Sequence, residues 1–173
     1  LRAAVLTEHG ATTQVVGGPT LASHAQRPLV TPNLHLHRFG ERGIATAVLL
    51  PSGRSPGDNG PPLPVLLDPY GGPHAQRVVA ANNAYLTSQW FADQGFAVVV
   101  ADGRGTPGRG SEWERAVHLD LATAPLDDQI DALRGAAAEY RLDVARGAVR
   151  GWSFGGYLGA LAVLRGPDVF YAA

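Results

Sequence analysis

Ser153 stands in Gly151-Trp152-Ser153-Phe154-Gly155, with a further glycine at 156. The pattern is G-x-S-x-G, and the chemistry it could do is attack by a hydroxyl on an acyl carbon. Such a serine sits on a tight strand-to-helix turn in a strained backbone conformation. The residues two positions away on either side pack against each other, so both must be small. Gly151 and Gly155 meet that need, and Gly156 adds clearance. The helix that follows aims its N-terminal dipole at the site, which favours developing negative charge. A small-residue turn with an idle serine has the same spelling. Context separates the two readings: here an apolar strand precedes the motif and a helical pattern follows it.

A nucleophilic serine needs a base, and a tetrahedral oxyanion needs two donors about 2.7–3.1 Å away. The backbone N–H of Phe154 can be one donor. The other is expected from a loop after an earlier strand, here Asp68-Pro69-Tyr70-Gly71-Gly72-Pro73. Tyr70 can supply a hydroxyl there, or it can plug a strand end as a plain aromatic. The base is not evident. His9, His24, His35, His37, His74 and His118 all precede the serine, and none of the 20 residues after it is a histidine. His74 follows the Tyr70 loop but reads as a loop histidine. Asp168, 15 residues past Ser153, is the one acid beyond it and is not assigned as its partner.

Other motifs compete. Gly103-Arg104-Gly105-Thr106-Pro107-Gly108 spells G-x-G-x-x-G after an apolar strand, which could cradle a dinucleotide. However, Pro107 and the glycines up to Gly110 keep the segment looplike where the fingerprint needs a helix. Asp127 and Asp128 also open a helix rather than ending a strand. The preferred reading is a loop over the sheet edge with Asp102 paired to Arg104. His35 and His37 share one strand face, yet a metal would need a third ligand that is not evident. Arg134, Arg141, Arg146 and Arg150 read as solvated charges.

The elements that must position these residues follow from patterning. LHLHRF (34–39) and IATAVLLP (44–51) predict a hairpin around ERG, and SGRSPGDNGPP (52–62) predicts an exposed loop. LPVLLDPY (63–70) and FAVVVAD (96–102) are continuous apolar runs, as buried parallel strands are. NNAYLTSQWFADQG (82–95) predicts a helix capped by Asn82 or Asn83 and ended by Gly95. SEWERAVHLDLA contains a helical segment. LDDQIDALRGAAAEY (126–140) predicts a helix with Ile130, Leu133 and Ala137 on one face. GAVRGWS (147–153) is a strand entering the turn, and FGGYLGALAVLRG (154–166) is a helix. Strand and helix alternate from residue 63 onward, so the class is α/β with a largely parallel sheet. Residues 1–33 are weakly patterned, with apolar patches at Ala3–Leu6 and Gln14–Val16, and predict short strands or irregular chain.

The chain has 173 residues, 45 % of them apolar, enough for one globular core. A net charge of −1 points to neither nucleic acid nor an anionic membrane. No run of 18 apolar residues predicts a membrane helix. Cysteine is absent, which excludes thiolate catalysis, disulfides and cysteine–zinc sites. Methionine and lysine are also absent, and all 14 basic residues are arginine, the usage of a GC-rich genome. Leu1 is therefore not expected to be a native start.

Taken together, LLDPYGGPHAQ, VVADGRGTPGRG, DDQIDAL and GWSFGGY resemble, in order and spacing, the prolyl oligopeptidase family of serine peptidases. The resemblance covers residues 34–173 and is strongest to the dipeptidyl peptidase IV branch. It implies an α/β-hydrolase fold, truncated after the nucleophile-elbow helix, with residues 1–33 as a β remnant or linker of an upstream propeller. It implies Ser153 as the acylated nucleophile, Phe154 as N–H donor and pocket edge, and Tyr70 as hydroxyl donor. Trp152 would pack beneath the turn. The branch often has tyrosine where Phe154 stands. The family's acid and histidine lie beyond the serine, so they are expected outside this chain, which alone would be inactive. FYAA at the end looks like the start of the next core strand. The implied substrates are short peptides losing an N-terminal dipeptide with proline or alanine second. The alternatives are an esterase or acylaminoacyl-peptidase of the same fold, or a non-catalytic or dinucleotide-binding fragment. No cofactor or metal is implied. Partners would be peptide substrates, and a homodimer of the full-length protein, with a cytoplasmic location as the default expectation.

Overall fold

The computed structural model describes residues 30–173 in full and, ahead of them, the backbone of residues 3–7 and 10–14. The chain divides into two compact units, Leu1–Val30 and Thr31–Ala173. In the first, β1 (Ala3–Thr7) and β2 (Gly10–Gln14) pair antiparallel, with Ala3 opposite Gln14. His9, His24 and the Val15–Val16 patch lie outside the described residues.

The second unit is a five-stranded sheet with helices on both faces. In chain order its elements are β3 (Leu34–Phe39), β4 (Ile44–Leu49), β5 (Leu63–Leu67), α1 (Leu86–Ala92) and β6 (Ala97–Asp102). They continue with α2 (Ser111–Arg115), α3 (Thr123–Glu139), β7 (Leu142–Val149) and α4 (Phe154–Arg165). The strand order is β3-β4-β6-β5-β7. β3, β4 and β6 pair antiparallel, whereas β6, β5 and β7 pair parallel. The sheet is thus mixed: the hairpin forms as expected, and the strands after residue 63 are all parallel. The chain's last residues begin a further parallel pairing, with Ala172 bridged to Ala148 and Tyr171 N–H donating to Gly147 C=O at 2.7 Å.

β6 is buried along its whole length, and its alternation builds two cores. On one face, Val65, Leu67, Val99 and Val149 pack with Leu126, Leu133 and Ala136 of α3 and Ala162 of α4. On the other, Leu49, Leu66, Val98 and Val100 pack with Tyr85 and Ala92. The helices after β5 and β7 therefore lie on opposite faces. The C-terminal ends of these adjacent strands form a topological switch point, the place where open α/β sheets bind ligands.

Two local expectations are corrected. Asn82 and Asn83 cap nothing: they lie in a 3-10 turn, Asn82–Tyr85, that precedes α1. Tyr85 is fully buried, its hydroxyl accepting from Val79 N–H at 2.9 Å and donating to Val79 C=O at 3.0 Å, and this anchor sets where the turn falls. The face of α3 turned inward carries Leu126, Leu133 and Ala136 but also buried Asp128 and Gln129, with Ile130 at its margin. In β3 the side chains of His35, His37 and Phe39 share the sheet face packed by α3, while Leu36 is exposed.

Candidate active site

β7 ends at Val149, and α4 begins at Phe154. The four residues between make a sharp turn. Ser153 has φ +56° and ψ −121°, a conformation that a non-glycine residue holds only at a cost of order 1–3 kcal/mol. The turn is closed by Gly155 N–H donating to Trp152 C=O at 3.0 Å and Tyr157 N–H donating to Ser153 C=O at 3.1 Å. A side chain on Gly151 would collide with the Gly155 carbonyl. One on Gly155 would collide with the Pro69 carbonyl and reach Tyr70 Cα at 3.5 Å. The mutual approach expected of the two glycines is present, and the second also receives the neighbouring loop. Ser153 is exposed at the tip, at the N-terminus of a 12-residue helix whose first N–H groups lack intrahelical partners.

The loop after β5 lies directly against this turn. Tyr70 and Phe154 have ring centroids 6.0 Å apart at 42°. The Phe154 ring covers Gly72, where a side chain would overlap it, and on its other side meets Tyr157 at 5.4 Å. The structure thus sets the Tyr70 loop beside Phe154, the residue that follows Ser153. Trp152 does not pack beneath the turn: it is 85 % exposed. The contact between Gly151 and Gly155 already fills the space there.

Below the loop, the sequence reading missed a buried charge network. Asp68, 2 % exposed, accepts from Ser88 Oγ at 3.0 Å and Arg77 Nη2 at 3.1 Å, with Arg150 Nε at 3.7 Å from its other oxygen. Arg150 also stacks 4.6 Å over Phe91, so it is not the solvated charge expected. Asp102 accepts from the backbone N–H groups of Arg77 at 3.0 Å and Val78 at 2.8 Å. Burial raises its carboxyl above the ordinary value, and these two N–H groups offset part of that. The signal available in the sequence was an aspartate closing each apolar strand run, at 68 and at 102.

The glycine run after β6 is built differently. Arg104 does not pair with Asp102. The two leave the strand toward opposite faces, and Arg104 instead binds buried Asp128 of α3 through Nε at 3.0 Å and Nη2 at 2.8 Å. Asp128 in turn holds that guanidinium more firmly protonated. Trp113 Nε1 and Thr106 Oγ1 both donate to Gly103 C=O, at 2.9 and 2.7 Å. Helix α2 starts only at Ser111, so no helix N-terminus stands where a dinucleotide fingerprint needs one.

The remaining candidates lie elsewhere. His35 is hydrogen-bonded to Asn33 Oδ1 at 3.1 Å, and His37 to Tyr140 Oη at 2.6 Å. Burial, followed by the charge of His37, lowers the His35 pKa. Burial, followed by Glu139, pushes Tyr140 up to about 12. These histidines serve packing, and among the described residues no three metal-binding side chains cluster. His74 is exposed with φ +91°. Asp168 lines a surface groove with Val144 and Ala145 near the start of β7, at the opposite end of that strand from Ser153. No helix among the described residues is long and apolar enough to cross a membrane.

The profile of the prolyl oligopeptidase family matches residues 82–173. Mouse dipeptidyl peptidase 8 is 36 % identical over 120 residues, which is 66 % of this chain and 13 % of that protein. Human prolyl endopeptidase FAP is 34 % identical over 113 residues, 65 % of this chain and 15 % of that protein. The crystal structure of Porphyromonas gingivalis dipeptidyl peptidase 4 superposes with a TM-score of 0.66 at 28 % identity, over 80 % of this chain and 19 % of that one. The chain thus spans only a small part of each relative's length.

Proposed function

The chain belongs to the prolyl oligopeptidase family, in its dipeptidyl peptidase IV branch, and from that premise we propose that it carries the nucleophile and oxyanion groups of a serine peptidase. The observation that carries this reading is the strained Ser153 turn, pressed by Gly155 against the Tyr70 loop at the switch point of the sheet. Ser153 Oγ attacks the peptide carbonyl and forms an acyl-enzyme, which water then releases. The Phe154 N–H and the Tyr70 hydroxyl take the charge that develops on the carbonyl oxygen. Phe154 forms the edge of the pocket for the residue before the cleaved bond. The proton from Ser153 goes to a histidine. None of the described histidines is hydrogen-bonded to Ser153, so this reading takes the base and its acid from sequence beyond this chain. The substrates are short peptides, cut to release an N-terminal dipeptide with proline or alanine second.

The test uses the full-length natural protein. A fluorophosphonate should label Ser153, Ser153→Ala should abolish labelling, and Ala-Pro amides should be turned over faster than short esters. Ester preference would shift the reading to an esterase of the same fold. An unlabelled Ser153 would overturn it.

A further inference from the structure

The Tyr70 loop and the Ser153 turn must keep a fixed separation if both are to touch one tetrahedral centre. The backbone does not provide all of that constraint. The parallel ladder between β5 and β7 ends at Leu67 opposite Val149, and its last rung is Arg150 N–H donating to Leu67 C=O at 2.9 Å. Past that rung the two chains diverge, one toward Tyr70 and the other toward Ser153. The next residues along, Asp68 and Arg150, are joined by side chains, Nε to Oδ1 at 3.7 Å.

We propose that the Asp68–Arg150 ion pair is a positioning device that sets the Tyr70 hydroxyl against Ser153. The inference rests on the peptidase reading and adds two residues to it, neither of which touches substrate. Both partners are themselves held. The Asp68 carboxylate is fixed by Ser88 of α1 and by Arg77, whose backbone is tied to Asp102. The Arg150 guanidinium lies over Phe91, also of α1, and its Nη1 is buried without a hydrogen-bond partner among the described residues. A half-buried pair with an unsatisfied donor is a poor stability device, and apolar side chains of similar volume would serve stability as well. What the pair supplies is a side-chain link between two strand ends at the point where the main-chain ladder stops.

The test is a double-mutant cycle in the full-length protein, with kcat and KM read on an Ala-Pro amide. Arg150→Met keeps the packing on Phe91 and leaves Asp68 its bonds to Arg77 and Ser88, so folding should survive. Tyr70→Phe should lower kcat about 10²-fold, as loss of one oxyanion donor does. Arg150→Met should lower kcat about tenfold with KM within about twofold, since the donor is misplaced rather than lost. The double variant should lose about 10²-fold, not the 10³-fold of independent effects. Additive losses, or an Arg150→Met variant with wild-type kcat, would overturn the proposal. If the wild-type protein turns over no peptide, the peptidase reading fails, and amide hydrogen exchange decides the positioning claim by itself. Arg150→Met should then speed exchange across residues 70–79 by at least about tenfold. Unchanged exchange there would overturn it.

Discussion

Two glycine-rich loops leave the same edge of the sheet from the adjacent strands β5 and β6, and they are used in opposite ways. The loop after β5 runs outward over the Ser153 turn, its backbone in contact with Gly155 and its Gly72 beneath the Phe154 ring. The loop after β6 folds in on itself. Arg104 is spent on Asp128, and the Gly103 carbonyl is taken up by Trp113 and Thr106. Both have the composition of a ligand-binding loop. The difference lies in what their polar groups already hold. A loop with its donors and acceptors paired inside the protein is a structural post, and one resting on a strained turn is part of a site.

The contrast can be tested by unmaking each loop in turn. The largest effect is expected at the closed loop. Asp128→Ala leaves the Arg104 guanidinium without its buried partner and should cost about 3–5 kcal/mol, read from the urea midpoint. Labelling of the folded fraction at Ser153 should stay within about threefold, and a collapse in labelling would break the contrast. Next comes Gly155→Ala, which drives a methyl group into the Pro69 carbonyl. Neither backbone can yield cheaply, so a cost near 3 kcal/mol, the top of the overpacking range, is expected. It should come with at least about tenfold slower labelling, because the Tyr70 loop must retreat. Gly110→Ala meets no atom within 4 Å but occupies φ +93°, ψ +163°. Its cost should be strain alone, about 1–2 kcal/mol in thermal stability, with labelling unchanged.

The smallest effect is a pH dependence at the start of α3, the helix that carries Asp128. Asp120 accepts from Ala122 N–H at 2.8 Å and Thr123 N–H at 3.0 Å. Hydrogen bonding, from Thr123 first, lowers its pKa from 3.8 to about 2. A carboxyl with a lower pKa folded than unfolded adds stability that is complete above about pH 4 and lost as the pH falls toward 2. Asp120→Asn should flatten that limb of an acid titration followed by circular dichroism. An unchanged limb would place the acid sensitivity elsewhere.

What could be read from the sequence was local. The turn around Ser153, the hairpin and the parallel strands all follow from residues close together in the chain, through periodicity and small-residue spacing. The failures were long-range. Asp102 is two residues from Arg104, yet the partner of Arg104 is Asp128, 24 residues on and reached only once α3 packs on the sheet. Nothing near Arg150 in sequence shows that β5 delivers Asp68 beside it. The resemblance implies Trp152 beneath the turn, whereas the structure has its side chain 85 % exposed. The site's supports join separate elements, so they became visible only with the topology.

Trp152 has an optical consequence. It adjoins Ser153 and is 85 % exposed. Of the other two tryptophans, Trp113 lies under the Arg109 guanidinium at 3.7 Å, while Trp90 packs edge-on to Phe91 and is itself 59 % exposed. An indole as exposed as Trp152 emits toward the red and is open to collisional quenchers such as acrylamide. Anything that settles over the Ser153 turn, whether a peptide, an inhibitor or another part of the polypeptide, would shift that emission to the blue and shield it. Taken as the difference from a Trp152→Phe variant, which removes the signal shared with exposed Trp90, that emission reports whether the Ser153 turn is covered.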